Sequence, residues 1–304
     1  MIKSVTVVNY LNESLKMELG RPEESGFLIK EIDGLGPPKA NINATENSTD
    51  DGSVYNSARL DARNIVMKLI LFPNPTIEHT RQSSYKYFPI KKPVTLIIET
   101  DNRICEISGY VETNTPDIFS KQESIQISII CHDPYFYSHG EDGTNVVVFH
   151  GIESGFEFPF SNESLNENLI EFGAQSQDTY QTVYYTGDAE IGMIISIHAI
   201  GEAGNITIFN TITRESMSID TEKLAQITGS GIIAGDDIII STVKRNKSIY
   251  LLRNGIRTNI LNCLDRDADW FQLSKGDNLF AYTVEDGLEN LQFRIENRTI
   301  FEGV

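Results

Sequence analysis

The run Ser124-Ile125-Gln126-Ile127-Ser128-Ile129-Ile130 alternates polar with apolar side chains, the pattern of an extended strand with one buried face. It stops abruptly at Cys131-His132-Asp133-Pro134. Pro134 has no N–H to give to a ladder and biases Asp133 away from helix, so a strand ends here and a crossing begins. Three aromatics follow, Tyr135, Phe136 and Tyr137, well suited to plug a seam between domains. Ser138 to Gly143 is polar, holds two glycines and has the composition of a linker. At 304 residues the chain exceeds the size that one core usually serves, which favours two domains of ~150 residues each. The expected division is therefore 1–138 and 139–304, with Asp133, Pro134, Tyr135, Phe136 and Tyr137 as the candidate joint.

Hydrophobic residues make up 40% and charged residues 22%, enough apolar material for two packed cores. The net charge of −18 disfavours a nucleic-acid ligand, because binders of phosphate backbones neutralise them with Lys and Arg. Cys105, Cys131 and Cys263 are odd in number and widely spaced, without a CxxC, so neither a disulfide framework nor a zinc site is expected. No apolar run approaches the ~18 residues of a membrane span, and Met1 to Val5 lacks the pattern of a secretory leader. A soluble protein made in a cytoplasm, without membrane insertion, is the expectation.

Through the first half, strands are expected at Val5–Val8, Phe27–Ile32, Ile65–Leu71, Val94–Glu99, Ile104–Val111 and Ser124–Ile130, with an amphiphilic connection between the first two. Asp101-Asn102 marks a hairpin turn. Between Asn74 and Phe88 the period changes to that of a helix: Asn74 suits the cap, Pro75 the first helical position, and Ile77, Tyr85 and Phe88 one face. Asn41 to Gly52 is too polar to pack and is read as a loop. So long a loop within a compact domain either grips a partner, with Asn43, Asn47, Asp50 and Asp51 as candidate contact residues, or is plain surface disorder. The first domain reads as α+β, a sheet with one helix against it.

The second half reads as all β. Short apolar segments at Val146–Phe149, Phe156–Phe160, Leu169–Phe172, Thr182–Tyr185, Met193–Ala199, Asn205–Phe209, Ser216–Ile219, Ile238–Thr242, Ile249–Leu252, Trp270–Leu273, Leu279–Val284 and Leu291–Ile295 are punctuated by Gly, Asp and Asn. That spacing predicts a two-sheet sandwich of the jelly-roll kind. Only Thr221 to Thr228 invites a helical turn.

No cofactor or catalytic motif stands out: GxSxG, HExxH and P-loop patterns are all missing, and the five histidines are scattered. Asp265-Arg266-Asp267-Ala268-Asp269 alternates its carboxylates like the start of an EF-hand, but Trp270 and Gly276 stand where Gly and Glu are needed. Trp270, the only tryptophan, reads as core first and as a sugar-stacking platform second.

Several local patterns, in order, resemble the distal tail proteins of long-tailed bacteriophages. In the first half they are Gly52-Ser53-Val54-Tyr55 leading to Arg63-Asn64-Ile65, Ile107-Ser108-Gly109-Tyr110-Val111, Ile118-Phe119-Ser120, and Ile127 to Cys131 with Asp133 to Tyr137. In the second they are Gly235-Asp236, Ile240-Ser241-Thr242, Lys247-Ser248-Ile249-Tyr250, Trp270-Phe271-Gln272-Leu273, Gly276-Asp277-Asn278 and Gly303-Val304, while Val146 to Thr228 carries no matching motif.

The resemblance implies a hexameric ring at the tip of the tail tube, made by the amino-terminal domain, with a galectin-like or carbohydrate-module-like β-sandwich on its periphery. It implies a hub in the virion that joins the tail tube and tape-measure proteins to the tail-tip hub protein and a receptor-binding protein. It implies no catalytic residues. Six copies at −18 each would line a channel through which DNA slides without sticking. Two other readings stand beside it. One is a carbohydrate-binding adsorption module on a cell surface, with Trp270 as its contact. The other is a hydrolase, in which paired carboxylates would do the work.

Overall fold

The structure, a computed structural model, describes residues 1–46, 51–140, 143–149, 152–154, 173–175 and 179–304. It is mainly β and divides into two units: Met1–Gly143 with Ile300–Val304, and Thr144–Thr299.

In the first unit, β1 (Ile2–Asn9) buries Val5 and Val7 completely. It turns at Asn9, whose side-chain oxygen accepts from the Leu11 and Glu13 amides, into β2 (Ser14–Glu18). That hairpin replaces the expected amphiphilic connection; only Leu15 and Met17 mark its inner edge, too brief an alternation to read. A single turn, α1 (Pro22–Ser25), closes on left-handed Gly26 before β3 (Phe27–Asp33). A hairpin of β4 (Ala40–Glu46) and β5 (Ser53–Leu60) follows, then β6 (Arg63–Leu71).

The expected helix is α2 (Ile77–Tyr87), but its cap is Thr76, whose hydroxyl accepts from the His79 amide. Asn74 and Pro75 lie before the helix: the Asn74 amide donates to the Glu24 carbonyl, and the Asn74 carbonyl pairs with His79 Nδ1. Of the expected face, Ile77 packs against the core and Phe88 is buried at the C-cap, whereas Tyr85 is exposed; Thr80, Ser84 and Tyr87 complete the side toward the sheet. The remaining strands are β7 (Pro93–Thr100), β8 (Ile104–Asp117), β9 (Ser124–Cys131) and β10 (Phe136–Ser138). They assemble antiparallel in the order β2-β1-β7-β8-β9-β6-β3, with β10 beside the start of β8.

The second unit contains β11 (Thr144–Val148), β12 (Ile152–Ser154), β13 (Gly173–Gln175), β14 (Tyr180–Tyr185), β15 (Ile194–Ala199), β16 (Ile206–Asn210), β17 (Glu215–Ile219), α3 (Thr221–Thr228), β18 (Asp237–Ser241), β19 (Ser248–Arg253), β20 (Ile256–Asn259), β21 (Gly276–Val284) and β22 (Leu291–Arg298). One sheet runs β11-β22-β15-β18-β19-β20, a second β14-β21-β16-β17, and β12 pairs with β13. The two larger sheets face each other, since Tyr282 of β21 stacks on Phe293 of β22 at 3.7 Å between ring centroids, and Phe149 packs edgewise on Tyr282 and tilted on Phe293. This is the expected sandwich. The expected strands Phe156–Phe160 and Leu169–Phe172 lie outside the described residues. Trp270–Leu273 is not a strand: Phe271 and Leu273 keep the inward alternation, but among the described residues the one ladder contact is a bridge from Leu273 to Ile191.

The chain then returns to the first unit. β23 (Ile300–Phe301) pairs with β10, and the Val304 amide donates to the Leu35 carbonyl at 3.0 Å. The second domain expected from sequence, 139–304, runs through these residues; nothing periodic marks a two-residue strand.

Candidate functional site: an exposed arm rooted on a buried arginine

Where a loop was expected between Asn41 and Gly52, the backbone forms a ribbon. β4 and β5 pair from Ala40↔Leu60 to Glu46↔Ser53, with a bulge at Asn43/Ala44. Pairing the two strands satisfies the backbone without burying a side chain, which is how so polar a stretch becomes regular. Asn43 lies in β4 and Asp51 just ahead of β5, both exposed; Asn47 and Asp50 lie outside the described residues. The Asn56 amide donates to Thr45 Oγ1 across the ribbon at 2.7 Å.

Every residue of β4, and of β5 up to Arg59, is exposed. Ile42, Val54 and Tyr55 stand out among them, at 64%, 57% and 64% exposure. A two-stranded ribbon with no covered face is marginal by itself in water. The sequence reading singled out the polar residues of this stretch and passed over these three. The signal was there: Val54 and Tyr55 are strand-forming residues that no loop needs.

The arm is held at its root by Arg63, which is only 4% exposed. Its Nη1 donates to the Gly34 and Gly36 carbonyls, both at 2.7 Å, in the connection between β3 and the arm. Its Nε donates to the Pro134 carbonyl at 2.7 Å, and its Nη2 to the Glu302 carbonyl at 2.6 Å. Phe136 lies beneath the guanidinium, with the ring centroid 4.6 Å from Cζ. A planar fork of five donors is the side chain able to serve four carbonyls that converge from different segments. Gly34 takes a φ of +90°, and a Cβ there would collide with the Asn64 carbonyl, so the turn into the arm requires glycine. Arg63 belongs to the same inward row as Ile65, Met67, Leu69 and Leu71. Running that alternation back two residues puts an arginine on a buried face, the sequence signal for its role.

Burial lowers the Arg63 pKa and pushes the neighbouring Cys131 thiol up to about 12, with the guanidinium opposing the latter shift. A cavity of about 820 Å³ opens at the arm's root, lined by Gly36, Pro37, Lys39, Asn41, Asp61 and Asn64 among others.

The candidate joint residues are gathered in the same place. Pro134 gives Arg63 its carbonyl, Phe136 is fully buried, and the Tyr137 hydroxyl donates to Asp133 Oδ2 at 2.7 Å. Tyr135 is part-buried, and burial raises its phenol pKa. Trp270 belongs to the second unit and is half-buried rather than core, with Lys247 Nζ 5.4 Å from its ring centroid. Among the described residues no group of three His, Cys, Asp or Glu is placed to hold a metal, and no helix is long and apolar enough to cross a membrane.

The fold these elements define has a counterpart among solved structures. It is shared with the Dit protein of phage SPP1, described as a paradigm of the hub adsorption apparatus in phages that infect Gram-positive bacteria. The match covers 96% of this chain and 98% of that one, at a TM-score of 0.63 and 14% identity. Structures of the phage P2 baseplate in its activated conformation, with calcium and with strontium, also align. They cover 98% and 97% of this chain and 99% and 98% of theirs, each at 12% identity, with TM-scores of 0.49 and 0.48 that are too low to define a shared fold. No protein-family profile and no curated protein matches the chain.

Proposed function

We propose that the chain is the structural hub of a phage tail tip. Six copies close a ring through the first unit, and the ring joins the tail tube and tape-measure proteins to the tail-tip hub and receptor-binding proteins. The observation that carries this reading is the end-to-end correspondence with SPP1 Dit, both units included. In this reading the β4–β5 arm is the contact with a neighbouring copy or with the tube. Its edges, unpaired among the described residues, and its exposed Ile42, Val54 and Tyr55 suit addition to another chain's surface. Asp133 to Tyr137 is the joint from which the peripheral sandwich, galectin-like in this reading, departs. The role is one of assembly, in the virion, without catalysis. Antibodies raised against the whole chain are expected to decorate the distal end of the tail in electron micrographs of the parent phage; decoration of the capsid, or of no part of the particle, would refute the reading.

A further inference from the structure

Two features of the first unit lie at opposite ends of β6. At the Leu71 end, β8 and β9 pair out to Asp117↔Ser124 and then carry a turn, 118–123, beyond the ladder. On that turn Phe119 is 96% exposed, the highest value of any large hydrophobic residue among those described, and Ile118 beside it is exposed too. At the Arg63 end lies the cavity of about 820 Å³ at the arm's root, with Pro37, Pro38, Ala40, Ile42 and Ala62 as its apolar wall. β6 has nine residues, which sets the two ends roughly 27 Å apart.

Both features are held in place by the rest of the unit. The Ser120 hydroxyl donates to the Gln122 carbonyl at 2.7 Å and closes the turn. Its base is tied down at Glu123, whose carbonyl accepts from the Leu71 amide at 3.0 Å and whose carboxylate accepts from Arg81 at 3.2 Å. The cavity wall is fixed by Arg63, which holds the Gly34 and Gly36 carbonyls just ahead of Pro37-Pro38. Charges of both signs flank each feature: Asp117 and Lys121 stand on either side of Phe119, and Lys39 and Asp61 stand in the cavity lining. Among the described residues the one ion pair made by these four is a 3.6 Å contact of Asp61 with Arg59.

We propose that the Phe119 turn of one copy seats in the arm-root cavity of a second copy, as a knob in a socket, with Asp117 set against Lys39 and Lys121 against Asp61. An aromatic anchor entering a preformed pocket is the arrangement that gives a protein contact most of its energy, and a wall of prolines held by Arg63 needs little ordering on binding. The two pairs of opposite charges fix the direction of entry. Because knob and socket are different patches at opposite ends of one strand, the contact is head-to-tail: every copy gives one and receives the other, as closure into a ring requires. This contact presupposes the ring of the hub reading and is separate from the one assigned to the arm. The arm of a second copy is the rival occupant, but from Asn41 to Ala58 it carries no Lys or Arg to meet Asp61.

The test mixes full-length Phe119→Cys chains with full-length Ala62→Cys chains and adds a short bismaleimide. Cys105, Cys131 and Cys263 are buried, so the introduced thiols are the ones that react. Covalent dimers are expected from the mixture and from neither variant alone, and the chain carrying both changes is expected to give a covalent ladder reaching six copies. In sedimentation, Phe119→Asp is expected to raise the dissociation constant between copies at least tenfold without moving the unfolding midpoint, since the side chain is exposed. Asp117→Lys is expected to weaken association several-fold, and Asp117→Lys with Lys39→Asp to restore it. A ring that forms undiminished in Phe119→Asp, or cross-linking of Ala62→Cys to Tyr55→Cys in place of Phe119→Cys, would overturn the knob and leave the ring standing. Unmodified chains that stay at 34.1 kDa at every concentration and beside the tube partner, with no cross-link in the mixture, would overturn both.

Discussion

Arg63 and Pro134, 71 residues apart in sequence, are joined by a 2.7 Å hydrogen bond from the guanidinium Nε to the carbonyl of the proline that ends β9's run. The same guanidinium holds the root of the arm and the returning end of the chain. One side chain therefore ties three separate segments of the first unit together.

Removing it leaves four inward carbonyls without their donor. Arg63→Met is expected to destabilise the first unit by about 3 kcal/mol or more, since each hydrogen bond from a charged group counts for roughly 1.5–3 kcal/mol. Calorimetry is expected to show one of two unfolding transitions moving down and the other staying in place. Arg63→Lys should recover little, because an ammonium cannot span four acceptors set out for a fork. Equal shifts of both transitions would contradict this arrangement.

In the second unit Asp236, 1% exposed, receives Arg253 through Nε at 2.7 Å and Nη2 at 2.6 Å, and also accepts from the Ile233 amide. Breaking one side of such a pair leaves a buried charge uncompensated, at a cost of about 3–5 kcal/mol. Asp236→Asn is expected to lower the second transition only. The double variant Asp236→Leu with Arg253→Met should recover part of the loss, and a double variant worse than the sum of the singles would argue against the pairing.

Much of this was legible in the sequence, and the reason is geometric. The strands at Ile65–Leu71, Ser124–Ile130 and Leu291–Ile295 show their inner faces every second residue, so alternation alone locates them. The helical turn expected at Thr221–Thr228 is a full helix, and the structure shows its ends: the Asp220 side chain accepts from the Lys223 amide, and Gly229 closes it in the left-handed conformation. What stayed hidden was regularity without burial. The β4–β5 arm has no inner face to alternate, so its polar residues looked like a loop. The return of Ile300–Val304 and the four-carbonyl role of Arg63 depend on pairings across the fold that no local period encodes. Trp270 was legible as an isolated aromatic; that it borders a cavity with Asn262 and Arg266 follows only from folding.

Glu99 sits below the ordinary glutamate range, held there first by the Ser4 hydroxyl at 2.9 Å and then by the charge of Lys16. A carboxylate with a depressed folded pKa stabilises the fold above its unfolded value, and that contribution is lost as pH falls through the folded value. The β1–β7 pairing is therefore expected to weaken on acidification below about pH 4. In an NMR titration the Glu99 midpoint should rise toward the ordinary value in Ser4→Ala. An unchanged midpoint would contradict the assigned cause.

The thiols of Cys105 and Cys131 are pushed by burial to about 11 and about 12, and burial raises Cys263 as well. Thiolate, not thiol, is the reactive form. At pH 8 a disulfide reagent is expected to titrate no thiol in the folded protein and three after unfolding. Rapid modification of any one in the folded state would show that its segment opens.

The hub proposal meets its most direct test in the mass of the assembled particle, measured over a range of concentrations with and without the tail-tube partner and followed by electron microscopy. The account predicts a closed ring of six chains of 34.1 kDa, about 205 kDa. It also predicts that Ile42→Asp or Tyr55→Asp prevents the ring while changing the stability of the chain by no more than about 0.5 kcal/mol. A species of 34.1 kDa alone under every condition, with no ring beside the tube partner, would contradict it.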